Sequence, residues 1–251
     1  MKTIFMADVH LRGRDAPNYG ILRDFLLSLL GSGSLCGEEG INDLYFVGDF
    51  FDFWFSRGGK VYPEFVEIVT ILGRLKERGI NIHLCEGNHD FYLNDYFGRY
   101  LGFEIIEEGK SIDLEGQKVF ISHGDTVDRT NKRYLLLRSF LRSSLFRRVK
   151  ELLPIKLLWQ MARLSSHLSK ELTIETREEL AEKMRLFSHK KFQEGFDVVI
   201  LGHCHKPLLE TQVLNGRRKT LILLGDWLHY FTYLCYNNGY FTLNAYKQAL
   251  V

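Results

Sequence analysis

Cysteine is scarce in this chain of 251 residues. Only Cys36, Cys85, Cys204 and Cys235 are present. They are far apart with no paired spacing, so no disulfide framework is expected and a reducing cytoplasm suits them. No stretch approaches the roughly 20 apolar residues needed to span a bilayer, which leaves a soluble chain or one that touches a membrane surface. The apolar opening up to Ala7 is interrupted by Asp8 and His10, and no small-residue cleavage site follows, so it does not read as a secretory signal. A formal net charge of +2 singles out no class of partner. Internal repeats and low-complexity tracts are lacking too. With 45% hydrophobic residues, the chain can bury a substantial core as one domain, 1–251, with or without an insertion.

Apolar runs of strand length alternate with helical patterns. Residues 19–30 place Ile21, Leu22, Phe25, Leu26, Leu29 and Leu30 at helical spacing before Gly31, and residues 63–78 repeat the pattern up to Gly79. The alternation indicates an α/β class. After His205 the pattern changes to short strands near 208–214, 219–225, 230–236 and 240–246, with turn signals at Asn215-Gly216 and Asn237-Asn238-Gly239. They suggest a second, largely antiparallel sheet.

Residues 129–163 carry ten Lys or Arg against a single acid, Glu151, together with many Leu and Phe. A basic helical stretch with this much apolar surface fits contact with anionic lipid. An amphipathic helix pair with a solvated basic face would have the same composition.

Five short motifs each follow a strand-like run: Asp8-Val9-His10, Gly48-Asp49-Phe50-Phe51-Asp52, Gly87-Asn88-His89-Asp90, Ser122-His123-Gly124-Asp125 and Gly202-His203-Cys204-His205. A sheet with its strand ends along one edge would gather all five. Carboxylate, amide oxygen and imidazole suit manganese, iron, zinc or cobalt. Asp8 and His10 lie two apart and on an extended backbone would face one way, to grip one ion. His203 and His205 share that spacing. Asp49, after a glycine that permits close backbone approach, is the natural bridging carboxylate, with Asn88 offering an amide oxygen and His123 completing the coordination of the second ion. Singly, each motif is more often a cap or a core residue; five in order are not. His83, His167, His189 and His229 lack such a motif, and Cys204 should point away from its neighbours.

The ordered set resembles the calcineurin-like metallophosphoesterases over residues 8–205. That resemblance implies a two-sheet αββα sandwich with helices on its outer faces. It places one ion on Asp8, His10, Asp49 and His205, and another on Asp49, Asn88, His123 and His203. Two such divalent ions, manganese first among the options, activate water for in-line attack on phosphorus. His89 would stabilise or protonate the leaving oxygen, oriented by Asp52 or Asp90.

Within the superfamily, Ile4–Leu11, Gly48–Trp54 and His123–Thr126 are similar to the UDP-2,3-diacylglucosamine diphosphatase family of lipid A biosynthesis. This implies cleavage of the diphosphate to UMP and 2,3-diacylglucosamine 1-phosphate beneath a helical lid insertion, here 129–175. Substrate would meet Asn88, His89, Asn131, Tyr134, Ser169 and His203. Partners would be this nucleotide-linked glycolipid and, through the basic apolar lid, the inner face of the inner membrane, with no nucleic acid expected. The chain departs from that family at His89, where an Arg would clamp a diphosphate, and at Asn131, where an Asp is usual. A phosphodiesterase or phosphatase would use the same site but has no need of such a lid. A nuclease would favour stacking aromatics over Leu-rich helices, and a non-catalytic scaffold would not need every ligand.

Overall fold

The computed structural model describes residues 1–31, 40–160 and 176–246. Side-chain alternation along the strands fixes the stacking of its layers. In β1 (Lys2–Met6), Ile4 and Met6 enter one core and Phe5 another; β2 (Asp43–Val47) likewise separates Leu44 and Phe46 from Tyr45 and Val47. Both faces are covered, so the strands read as unbroken apolar runs. β3 (Asn81–Cys85) and β4 (Glu104–Ile106) extend the parallel pairing. Helices α1 (Tyr19–Ser28) and α2 (Val66–Glu77) cover the outer face, and Leu22, Phe25, Ile68 and Leu72 pack on Ile4 and Phe46. A 3-10 turn with Pro63 at its start leads into α2, where the missing N–H costs nothing. The short α3 (Phe97–Leu101) adds Phe97 to the same core.

A second sheet begins with β5 (Gly109–Leu114) and β6 (Gln117–Ser122) and resumes, after the basic segment, with β7 (Val198–Leu201), β8 (Pro207–Leu214) and β9 (Arg217–Leu224), in the order β5-β6-β7-β9-β8. Val119, Ile121, Val198 and Ile200 face Phe5, Tyr45 and Val47 between the sheets. Two helices follow β6, α4 (Lys132–Leu141) and α5 (Ser144–Leu152), and α6 (Arg177–Gln193) precedes β7. Val199, Leu201, Leu221 and Leu223 meet Leu180, Ala181, Met184 and Phe192 of α6 on the outer face. The layers are α, β, β, α, as the resemblance implied.

The last strands differ from the expectation of a sheet of their own. β8 and β9 join the second sheet beside β7, whereas β10 (Thr232–Asn237) and β11 (Tyr240–Ala245) cross to the first, giving β11-β10-β1-β2-β3-β4. Both hairpins use the foreseen turns, with positive φ at Asn215, Gly216, Asn238 and Gly239. Alternation tells which face of a strand is buried but not which sheet edge it pairs with, and each sheet had an open edge to close. Cys235 is also a correction: it is disulfide-bonded, while Cys85 and Cys204 are free and buried. Separation along the chain did not measure separation in space. Cys36, His167, Ser169 and the rest of the expected lid beyond residue 160 lie outside the described residues.

The basic segment is turned partly inside out relative to both expectations. Arg138 and Arg142 of α4 face the protein, with side chains only 14% and 16% exposed and paired to Asp125 and Glu86. Arg147 lies over the Tyr92 ring, and the buried Lys150 pairs with Asp95. Outward instead go Leu136, Leu145 and Leu152, at 74%, 63% and 84% exposure. Arg129, Lys132, Arg133, Arg147, Arg148 and Lys156 remain exposed. Arg57 donates to the carbonyls of Glu151 and Leu153, and Trp159 Nε1 to Phe55 O, fixing the far end. Among the described residues, no helix is long and apolar enough to cross a membrane.

Candidate active site

The loops after β1, β2, β3, β6 and β7 meet at one end of the sandwich, where open α/β sheets receive their ligands. Their backbones are unusual. Asp8, His10, Asp49, His203 and His205 have φ of 53°, 48°, 50°, 65° and 54°, so the extended backbone expected at Asp8–His10 is replaced by a left-handed one. Such geometry costs about 1–3 kcal/mol per residue and persists where surrounding bonds impose it. Here a ladder imposes it: Asp8 N–H donates to Gly48 O at 3.1 Å, His10 N–H to Asp49 O at 2.9 Å and His203 N–H to Asp8 Oδ2 at 2.8 Å. Close approach requires glycine at two places. A Cβ on Gly87 would lie 2.1 Å from Asp49 Oδ1, and one on Gly48 2.3 Å from His123 Nδ1.

Among the described residues three clusters result, and one of them, His10, Asp52 and His89, lies beside the two that bring the candidate ligands together. Of these two, Asp8, His10 and His205 form one, with His10 Nε2 3.3 Å from His205 Nε2 and His205 Nε2 3.7 Å from Asp8 Oδ1. Asp49, His123 and His203 form the other, with Asn88 Oδ1 3.0 Å from His123 Nε2. Asp49 Oδ2 stands between them, 3.7 Å from His10 Nε2 and 3.4 Å from His123 Nε2. All seven residues singled out as ligands are therefore brought together. Cys204 is outside both groups, its Sγ directed to Arg177 O.

The donor chemistry fits cations. His123 Nδ1 lies 3.0 Å from Val47 O, and a carbonyl only accepts, so Nδ1 carries the hydrogen and Nε2 offers a lone pair. His205 Nδ1 likewise meets Asp226 Oδ2 at 3.2 Å, leaving Nε2 as an acceptor. Lone pairs thus converge on carboxylate oxygens, and Asp8 Oδ1 is buried with no hydrogen-bond donor. Only positive charge relieves that arrangement. Its electrostatics say the same. Burial opposes charge on His123, yet Asp49 outweighs it and pushes the group up to about 10. Burial would raise Asp49, but His123 and His89 hold it well below the usual carboxylate range. Burial lifts Asp8 to about 6 and depresses His10 to about 4 and His203 to about 3, keeping both imidazoles neutral.

His89 is beside the groups, its Nε2 4.0 Å from Asp49 Oδ2 and its ring edge-on to His10. Its Nδ1 contacts the backbone carbonyl of Asp52 at 3.3 Å. The Asp52 carboxylate lies instead 3.4 Å from His10 Nδ1. Asp90 accepts the N–H groups of Asp49, Phe51 and Gly87, each at 3.0 Å, clamping two loops to each other. A carboxylate oxygen of Asp52 and ring nitrogens of His10 and His89 lie within 4.8 Å of one another, so Asp52 stands near His89, whereas Asp90 is engaged by the loop backbone. Asn131 caps α4 by accepting Tyr134 N–H, and Tyr134 Oη donates to Asp125 Oδ2 at 2.5 Å, two residues from His123.

Asp226 is the residue that motif reading missed. Fully buried, it accepts three backbone N–H groups on Oδ1, and on Oδ2 meets both His205 and His229. Burial opposes its charge, but these partners hold it far below the usual range. Gly225-Asp226 follows the apolar Leu221–Leu224 as Gly48-Asp49 follows Leu44–Val47, and that was the available signal. It also gives His229, which no motif singled out, a place next to the site.

Curated relatives are similar over nearly the whole chain. A Pseudomonas aeruginosa protein named UDP-2,3-diacylglucosamine hydrolase is 31% identical over 238 residues, covering 90% of this chain and 91% of its own. Proteins of the same name from Aliivibrio fischeri and Vibrio atlanticus are each 26% identical, the first covering 97% of this chain and 98% of its own, the second 90% of both. The family model of the calcineurin-like phosphoesterases matches residues 1–207. With the fold and the gathered donors, that match settles the family: the chain belongs to the calcineurin-like phosphoesterases and is a metal-dependent phosphoesterase.

Proposed function

We propose that the chain hydrolyses the diphosphate of UDP-2,3-diacylglucosamine, releasing UMP and 2,3-diacylglucosamine 1-phosphate, with two divalent ions, manganese before iron, zinc or cobalt. Asp8, His10 and His205 hold one ion; Asn88, His123 and His203 hold the other; Asp49 is shared. The observation that carries the two-ion reading is Asp49 Oδ2, within 3.7 Å of a candidate ligand nitrogen in each group. When bound, the ions supply the activated water and the positive charge that in-line phosphoryl transfer needs. The chain's own part is then proton management. The hydrogen on His89 Nδ1 is engaged by Asp52 O, so the protonated ring would give its Nε2 proton to the leaving oxygen and be left neutral with the Nδ1 hydrogen in place. Asp52 and Asp90 act as positioning residues, the first through His10 and its own carbonyl, the second through the loop backbone.

Substrate choice rests on the relatives' printed name and on the outward apolar side chains of α4 and α5 beside the site. Those side chains suit acyl chains and the surface of the inner membrane on its cytoplasmic side, with α4 and α5 serving as the lid. Asn88, His89, His203, Asn131, Tyr134 and Ser169 are the proposed substrate contacts. The test is hydrolysis with added Mn2+ of the nucleotide-linked lipid, a cyclic nucleotide and DNA in parallel. The lipid should be turned over at least a hundredfold faster than the others. Equal or preferential cleavage of either water-soluble substrate would reject the lipid and leave a phosphodiesterase or nuclease.

A further inference from the structure

Asn88 and His123, proposed for the same ion, sit on loops that leave different sheets, after β3 and after β6. Nothing in strand pairing ties these two loops together. One helix touches both. Along a single face of α4, Tyr134, Arg138 and Arg142 follow one another at four-residue spacing. Arg142 Nη1 donates to the buried Glu86 Oε2 at 2.6 Å and Nη2 to Gly87 O at 3.0 Å, one residue before Asn88. Arg138 Nε donates to the buried Asp125 Oδ2 at 2.8 Å, two residues after His123, and its Nη1 to Glu108 Oε1 at 3.0 Å. Tyr134 Oη meets the same Asp125 oxygen, and Tyr92 Oη donates to Leu141 O at the helix end. Among the described residues, none of the side-chain hydrogen bonds of α4 reaches the loops of Asp8, His10 or His205. The Glu86 carboxylate also accepts Leu93 N–H at 3.0 Å, so it ties the Asn88 turn to the segment after it as well as to α4.

We propose that α4 braces one of the two metal sites and leaves the other alone. Arg142 and Arg138 are positioning residues that set the spacing between Asn88 and His123. They thereby set the affinity of the ion those residues share with Asp49 and His203. This rests on the two-ion reading. Partners behind a ligand shell commonly govern 10–100-fold in metal affinity, and a bidentate arginine holds direction as well as charge.

The test is titration of the whole chain, freed of metal, with MnCl2, followed by calorimetry and by the electron paramagnetic resonance signal of free Mn2+. Wild type should take up two equivalents. Arg142→Lys keeps a positive charge near Glu86 but cannot also reach Gly87 O. Arg142→Met with Glu86→Gln removes the pair without stranding a buried charge. In either variant one equivalent should bind as in wild type and the other about 10–100-fold more weakly, while Leu136→Ser, outward on the same helix, should leave both unchanged. Equal weakening of both equivalents, or two at wild-type affinity, would overturn the brace while sparing the two-ion reading. A wild type that takes up a single equivalent would overturn both. Should the double variant fail to fold by circular dichroism, Arg142→Lys alone decides.

Discussion

His205 shows how one atom's hydrogen decides whether a side chain can bind metal. Its Nδ1 faces the Asp226 carboxylate, so Nε2 is the free lone pair. An amide in place of that carboxylate can turn an N–H toward Nδ1 and drive the hydrogen to Nε2. Asp226→Asn should therefore weaken the ion on Asp8, His10 and His205 about 10–100-fold with little loss of fold, as seen in a Mn2+ titration; unchanged affinity would reduce Asp226 to a loop anchor. Acidity tests the same group. Asp8 lies at about 6 in the folded, metal-free protein, against 3.8 for the free side chain. Between those values the native state holds a proton that the unfolded state does not, so metal-free stability falls as pH rises through this window. Metal has to displace that proton. Through Asp8 alone, affinity should thus fall roughly tenfold per unit below about pH 6, steepening near pH 4, where His10 also takes up a proton. Equilibrium dialysis from pH 4.5 to 7.5 reads this directly, and retention of metal throughout would exclude Asp8 as a ligand. The seven candidate ligand positions were legible because each imidazole, carboxylate or amide sits in a motif behind a strand. The left-handed backbone at five of them was not, since φ is set by the ladder between loops and not by the residue's own preference.

Helices and strands were legible where periodicity has one meaning. The windows at 19–30 and 63–78 became α1 and α2 because each has a single apolar stripe to bury. The basic segment defeated the same logic. Its arginines found buried carboxylates at Glu86 and Asp125, and a paired arginine can face inward while leucines face out. Leu141 and Phe146 pack on the core, whereas Leu145 and Leu152 do not. Leu145→Asp and Leu152→Asp should therefore change stability by no more than about 0.5 kcal/mol. Each should raise KM for a diacylated substrate several-fold while sparing a water-soluble phosphodiester. An equal effect on both substrates would separate the apolar face from substrate binding. Composition alone could not show which way this surface turns, because orientation depends on acids supplied by distant loops.

At the scale of the whole molecule, both sheets contribute donors, so bound metal joins the two halves of the sandwich. A ligand present at 100 times its Kd adds about 2.7 kcal/mol to the stability of the folded state, which for a domain near this size moves Tm by roughly 5–10 °C. Removing metal with a chelator should lower Tm by at least that much, and Asp49→Ala should make Tm nearly indifferent to the chelator. A chelator-insensitive wild type would mean that the donors do not hold metal under those conditions. The layer order was readable from alternating strands and helices, whereas the destination of the last two hairpins was not, because pairing partners are chosen by open edges.

That choice of edge has a consequence in time. β1 is paired with β2 on one side and with β10 on the other, so it waits for a strand made much later in the chain. Until Thr232–Asn237 arrives, one edge of a strand that carries the apolar Ile4, Phe5 and Met6 stays open to any other extended chain. The residues that follow it, Asp8 and His10, wait as well, since His205 and Asp226 are still to be made. Between the synthesis of β1 and that of β10, the nascent chain thus has an adhesive edge and no complete metal cradle. The cradle is complete only once Asp226 has been made.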